Sequence, residues 1–385
     1  MRNFPVTAAA THRPASPPTA RQAAKPGRIT SLDWVRGLFL CVSVSSVSVL
    51  APRPEWLRHA SWTGVRFEDV IFPLFVILSG CGLAFAYRNA VGWWATLKRS
   101  VVLLVCGLIF NMVEAQTLDP AQLRWAGPLQ VYAVLVLIIG LLHRVVRRPS
   151  AWVGVTLGFA CIQAVFLYVW QSRCPGHVLT PTCNPSDVID RAWMGTAHMY
   201  LHGVRGHDPE GLLSIFGALV TACAGTTAGH LALSARGSWK APARLLTWAA
   251  TTAAVALVAS QFLPPMKRLW TTPFALGVGS LGIVALAIGM AVLDLPAPKK
   301  WQQVRPHLAW PWVAMGRNSL FVYFGSYLLV LVLLYTGGDP SNAEQLSHRV
   351  DVLGNHPQIT FVIVMLVLWA GLAAVLHRRR IYLRP

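Results

Sequence analysis

The chain has 385 residues, 55% of them hydrophobic and only 12% charged, with a mean hydropathy of +0.51 and a formal net charge of +19. Soluble domains carry roughly 25% charged residues, so a soluble globular protein is excluded and an integral membrane protein is implied. The positive charge alone would suit a nucleic-acid partner, and its placement along the chain decides that question.

Residues 1–30 are rich in Ala, Pro, Thr and Ser with scattered Arg and Lys and have no apolar period, which predicts a disordered basic cytoplasmic tail. The remainder, 31–385, reads as one transmembrane domain. A membrane helix needs roughly 20 mostly apolar residues. About ten such runs follow in order, near 33–50, 68–86, 100–114, 127–142, 151–170, 211–233, 243–263, 272–293, 318–336 and 358–376. None alternates with the period of a membrane barrel, so the expected fold is all-α, a polytopic bundle of about ten transmembrane helices. Asp33 and Arg36 inside the start of the first run argue against a cleaved signal.

Threading these runs from a cytoplasmic N-terminus makes every inner segment basic. They hold Arg88, Lys98 and Arg99, then Arg144, Arg147 and Arg148, then Arg236, Lys240 and Arg244, then Lys299, Lys300 and Arg305, and finally Arg378, Arg379 and Arg380. All acids except Asp33 and Asp294 fall outside. The positive-inside rule then predicts a multi-pass cell-membrane protein with both termini cytoplasmic, and no nucleic-acid partner is needed to explain the charge. Five cysteines lie within apolar runs, while Cys174 and Cys183 share a long outer loop, where a disulfide and two free thiols are both open.

Two outer segments are polar enough for chemistry. In the first, His59 stands between Trp56 and Trp62, just ahead of Glu68 and Asp69 at the start of the second run. An imidazole there is a candidate general base or nucleophile, the plainer alternative being an interfacial histidine among belt tryptophans. Asp69 reads either as a helix-start acid or as the group that orients a base or a substrate cation. The second segment, from about residue 171 to 210, carries Asp190, His198, His202, His207, Asp208 and Glu210. These histidines follow no metal-ligand spacing, so no metal is expected. Lys267 and Trp270 sit in a short outer turn after Pro264 and Pro265. On the inner side, Asp33 and Arg36 share a helix face, and Arg317, Asn318 and Ser319 open the ninth run. Such groups either hold phosphates of a cytoplasmic ligand or snorkel without one.

Taken in chain order, these residues resemble the heparan-α-glucosaminide N-acetyltransferase family of transmembrane acyltransferases. The resemblance is carried by Ser31-Leu32-Asp33 with Arg36-Gly37, His59-Ala60-Ser61-Trp62, Asp69 with Phe72-Pro73, Leu129-Gln130, Ile189-Asp190-Arg191, Asp208-Pro209-Glu210-Gly211, Lys267 with Leu269-Trp270-Thr271, and Gly316 with Asn318-Ser319. It implies transfer of an acetyl group from cytoplasmic acetyl-coenzyme A to an amino sugar or glycan outside, in a lipid membrane, with a homodimer as one arrangement the sequence allows. His59 and Asp69 would be catalytic. Trp62, Asp190, His198, Asp208, Glu210, Lys267 and Trp270 would bind substrate. Asp33, Arg36, Arg317, Asn318 and Ser319 would hold the coenzyme. The pattern departs where the family has Asn near the outer end of the first helix, since only Ser43, Ser45, Ser46 and Ser48 stand there, and where Val131 replaces an Arg. Direct transfer and an acetyl-imidazole intermediate are both open. A transporter or flippase for a glycan or lipid-linked substrate is the rival reading, and it would show intramembrane charges and a repeat between halves.

Overall fold

The computed structural model describes residues 29–90 and 92–383. Most of the tail expected over 1–30 lies outside the described residues, and Thr30 already begins the first helix. Among the described residues the chain is helical throughout: α1 Thr30–Val47, α2 Phe67–Ala86, α3 Trp93–Ala115, α4 Pro128–Val145, α5 Pro149–Arg173, α6 Pro185–Met194, α7 Leu212–Ser234, α8 Lys240–Ala259, α9 Thr272–Leu293, α10 Lys299–Arg317, α11 Ser319–Tyr335, α12 Asn342–Arg349 and α13 Pro357–Arg378.

Each of the ten apolar runs falls on a helix. Eight of them, α2 to α5, α7 to α9 and α13, are long and apolar enough by themselves to cross a membrane. A ninth span is a bent pair, α10 and α11, which turn through 68° at Asn318. The remaining run, α1, is diluted by Asp33, Arg36 and its serines. The count of about ten therefore becomes eight or nine helices that meet the criterion, with α1 packed among them. Helix α10 was not among the expected runs because it opens on Lys299 and Lys300 and carries Pro306 and Pro311. Prolines do open α4, α5 and α13, where the missing N–H has no intrahelical partner to lose.

The middle of the bundle is α7, buried on nearly every side because its sequence is small and weakly polar. Small residues let helix backbones approach closely where lipid offers no hydrophobic drive. A Cβ added at Gly80 would run into the Ala222 carbonyl, and one at Gly225 into the Ile77 carbonyl, so α2 and α7 touch backbone to backbone. Thr226 Oγ1 donates across this seam to the Gly80 carbonyl at 3.1 Å. Helices α1 and α10 are joined the same way: Gly37 abuts the Trp312 carbonyl and Gly316 abuts that of Asp33. The outward faces of α3, α5, α8 and α13 expose Ile109, Ile162, Leu257 and Val367, the apolar surface that lipid covers.

Candidate functional site

The segment between α1 and α2 is held open by its partners. Gly64 N–H donates to the Pro265 carbonyl, Trp62 Nε1 to the Leu179 carbonyl, and Arg268 Nε to the Ala60 carbonyl. These three ties bring the turn after α8 and the loop after α5 against the stretch that carries His59. Asp69, one turn into α2 and only 1% exposed, supplies the fourth. Its Oδ2 accepts the backbone N–H groups of Ala60 at 3.1 Å and Arg66 at 2.9 Å, and its Oδ1 lies 2.7 Å from His59 Nδ1.

This arrangement fixes the imidazole. A carboxylate only accepts, so the proton of neutral His59 is on Nδ1 and the lone pair on Nε2. The His59 side chain is 40% exposed, and its Nε2 has no partner among the described residues. A buried carboxylate that orients and supports an accessible imidazole is the chemistry of a general base. Pro73 stands one turn further on, without an N–H for the Asp69 carbonyl, so α2 starts with a loosened turn just where the dyad sits.

Below the dyad a passage runs inward along α2. Phe72, Phe75, Val76, Ser79, Gly80 and Leu83 line it at helical spacing, a stripe whose first residue is one turn below Asp69. At about 1.5 Å per residue the stripe from Asp69 to Leu83 covers ~21 Å, most of a hydrocarbon core of roughly 30 Å. Tyr132, Leu135, Val136 and Ile139 of α4 and Leu320, Tyr323 and Phe324 of α11 face it. Its inner part is cationic: Arg36, Arg99 and Arg317 line it, and no carboxylate does. Arg99 Nε and Arg317 Nε are buried without a hydrogen-bond partner. Buried polar groups are normally satisfied, so these orphaned donors fit a phosphorylated ligand entering from that end. Arg36 Nη2 donates to the Leu78 carbonyl at 2.8 Å. Arg99 was not foreseen because a basic residue near an inner helix end reads as ordinary positive-inside charge.

The other expected site residues divide clearly. Ser319 lines the passage with Arg317, whereas Asn318 uses its amide on the segment after α13, donating to the Ile381 carbonyl and accepting from Leu383 N–H. That segment lies over the inner end, with Leu383 in the lining and the Arg317 guanidinium 3.8 Å from the Tyr382 ring centroid. Asp33 is buried in α1, with its backbone carbonyl against Gly316. Trp270 is fully enclosed: its Nε1 donates to Thr221 Oγ1 at 3.0 Å, and its ring meets Phe72 edge-on, so it backs the wall of the passage. Lys267 is buried in the same turn, where burial lowers its pKa and the nearby charges of Glu210 and Asp69 partly restore it.

In the outer segment, Asp208 and Glu210 both accept from Arg124 Nη2 at 2.6 Å. Burial opposes the guanidinium charge, but the two carboxylates outweigh it and hold its proton more tightly than on an ordinary arginine. Arg124 lies 84 residues from Asp208, a separation no local spacing could reveal. His198 stacks on Trp125 with ring centroids 4.0 Å apart, and its Nδ1 is spent on the Leu123 carbonyl. Asp190 opens α7, accepting Leu212 N–H at 2.7 Å. Ser46, in the region where the family has Asn, is bonded to Glu68, and Ser48 donates to the Val44 carbonyl. Cys174 and Cys183 are joined as a disulfide. Beside His59, Ser61 and Trp62 face Asp187, Arg191, Arg205 and His207 across an open cleft of about 630 Å3.

Burial raises the Asp190 carboxyl to about 6, despite its hydrogen bonds to Ser186 and Leu212. A raised folded-state value means that Asp190 contributes most stability while protonated, below its ordinary 3.8, and that this contribution is lost as pH rises through about 6. Asp190→Asn keeps an oxygen for Leu212 N–H and removes the ionisation. Its unfolding temperature, followed by circular dichroism, should vary less than that of the wild type between about pH 4 and 6.

Residues 28–185, which include Arg36, His59, Asp69, Arg99 and Arg124, match the family model for heparan-alpha-glucosaminide N-acetyltransferase, catalytic. Over 95% of its length the chain is 23% identical to the Homo sapiens heparan-alpha-glucosaminide N-acetyltransferase, and it is equally similar to that of Mus musculus. It spans 61% of the length of either relative. The chain is thus similar to the heparan-alpha-glucosaminide N-acetyltransferases, over residues 28–185 for the family model and over most of its length for the two relatives.

Proposed function

We propose that the chain is an acetyltransferase that uses a cytoplasmic acyl thioester, acetyl-coenzyme A, to acetylate an amino sugar or glycan on the outer side of the cell membrane. The observation that carries this reading is the His59–Asp69 dyad standing one helical turn above a passage whose far end holds Arg36, Arg99 and Arg317. The sidedness rests on charge: the helix ends nearest the three arginines are those joined by basic segments, as expected of cytoplasmic loops. The acceptor class rests on the relatives' name, which specifies a glucosaminide and an N-acetyl product.

When bound, acetyl-coenzyme A supplies an activated acyl carbon. Arg36, Arg99 and Arg317 hold its phosphates, and the apolar stripe of α2, α4 and α11 guides the rest toward Asp69. His59 Nε2 takes the proton of the acceptor amine or hydroxyl as the new C–N or C–O bond forms, and returns it to the sulfur as the C–S bond breaks. Asp69 holds the ring and supports its transient positive charge. Trp62 and the adjoining cleft offer an aromatic face and mixed charge for a sugar. With Ser46 engaged by Glu68, the buried cations Lys267 and Arg268, in the turn held against the His59 loop, would favour the developing oxyanion.

Purified full-length protein in detergent, given labelled acetyl-coenzyme A and a panel of amino sugars, should release free thiol only when an acceptor is present. Glycan movement across vesicles without thiol release would replace this reading by a carrier.

A further inference from the structure

A second cavity opens at the same end of the bundle as the three arginines, apart from the passage. It encloses about 410 Å3. It lies where α2, α4 and α7 end, and Arg88, His143, Arg144, Arg147 and His230 line it without any carboxylate. The acyl-transfer chemistry does not use it.

The two histidines are set with care. His143 is 6% exposed, and its Nδ1 lies 2.8 Å from the Ile139 carbonyl, which only a donor satisfies. The proton of neutral His143 is therefore on Nδ1, and its Nε2 is an acceptor. His230 Nε2, 3.1 Å away, must then donate, which leaves His230 Nδ1 as the remaining acceptor of the pair. Trp152 stacks on His230 and holds its plane. Two ring nitrogens this close could chelate a metal, but three guanidiniums around them would repel a divalent cation. The same guanidiniums, on exposed and adaptable side chains, favour an anion, and phosphate oxygens match their forked donors. Trp93 and Trp94 open α3 shortly after Arg88, and Leu141 and Val145 flank His143 and Arg144 on α4, all of them exposed. A basic cavity at the ends of membrane helices that also carry exposed tryptophan and aliphatic side chains suits a charged headgroup with acyl chains attached.

We propose that this cavity is a binding site for the phosphate of an anionic membrane lipid. Arg88, Arg144 and Arg147 would hold the phosphate, and the His143–His230 pair would form the floor.

The test uses the full chain in detergent and follows its thermal unfolding while short-chain phosphatidylglycerol, phosphatidylcholine or inorganic phosphate is added at matched ionic strength. Phosphatidylglycerol should raise the unfolding temperature saturably and phosphatidylcholine should not. In the Arg144→Gln/Arg147→Gln double variant the half-saturating concentration should rise by about tenfold or more. Arg88→Gln, on the exposed turn after α2, tests the same site should the double variant fold poorly, and it should shift the titration in the same direction. Saturation by inorganic phosphate with no response to phosphatidylglycerol would overturn the lipid as occupant. An unchanged phosphatidylglycerol titration in the folded variants would overturn the site itself.

Discussion

His59→Ala is expected to lower acceptor-dependent thiol release by roughly 100- to 10,000-fold, the usual contribution of a positioned general base. Its side chain is partly exposed and lies in a loop, so the bundle should fold and retain labelled donor as the wild type does. Asp69→Asn should be nearly as damaging, for a reason the hydrogen bonds make specific. Asp69 Oδ2 accepts two backbone N–H groups, from Ala60 and Arg66, so the single oxygen of an asparagine must face them. The amide nitrogen then points at His59 Nδ1 and forces the proton onto Nε2, which is the wrong tautomer for a base; the analogous change in a serine protease triad costs about 10,000-fold. The measurement is a rate of thiol release for each variant, beside donor retention on the same preparation. Near wild-type transfer by folded His59→Ala would remove both the base and the acetyl-imidazole routes.

Arg99→Ala and Arg317→Ala should each weaken donor binding by about 1.5 to 3 kcal/mol, the usual worth of a hydrogen bond to a charged group, while leaving the acceptor KM unchanged. Arg99 is the cleanest of the three probes, since Arg36 also holds the Leu78 carbonyl of α2 and the Arg317 guanidinium lies over the Tyr382 ring. Equilibrium binding of labelled coenzyme A to the intact protein checks the first half, and acceptor titration at saturating donor the second. Equal losses for donor and acceptor would mean that the cations support the fold rather than the ligand.

Much of the architecture was legible because the membrane imposes one dominant signal, apolar length, and every run read from the sequence became a helix. Where that signal is weak the reading was incomplete. Polar, proline-bearing α10 escaped it, and the sharp turn at Asn318 made one span of two helices. The site was legible in part. His59 and Asp69 are ten residues apart, and their pairing depends on a loop held by Arg268 and Pro265 from over 200 residues away, which periodicity cannot show. Trp270 reads in the sequence as part of a short outer turn with Lys267, yet Lys267, Arg268 and Trp270 are all buried where the turn folds inward. Arg124 stands alone in its loop and Arg99 reads only as inner-segment charge beside Lys98, because an arginine carries no site pattern until its carboxylates, or the lack of them, are known.

The seams between α2 and α7 and between α1 and α10 bear on how the passage widens for a ligand. At both, glycines bring carbonyl groups of one helix directly onto the backbone of the other, leaving no side chain to swing aside. A frame built this way resists dilation, since sliding either pair would first require lifting it apart. The α3–α4 hairpin has no such joint to α2, and it carries Arg99 and Tyr132 on the opposite wall. Any widening of the channel would then fall to that hairpin, and side-chain volume in the loops flanking it, rather than on α2, would set how bulky a ligand the passage admits.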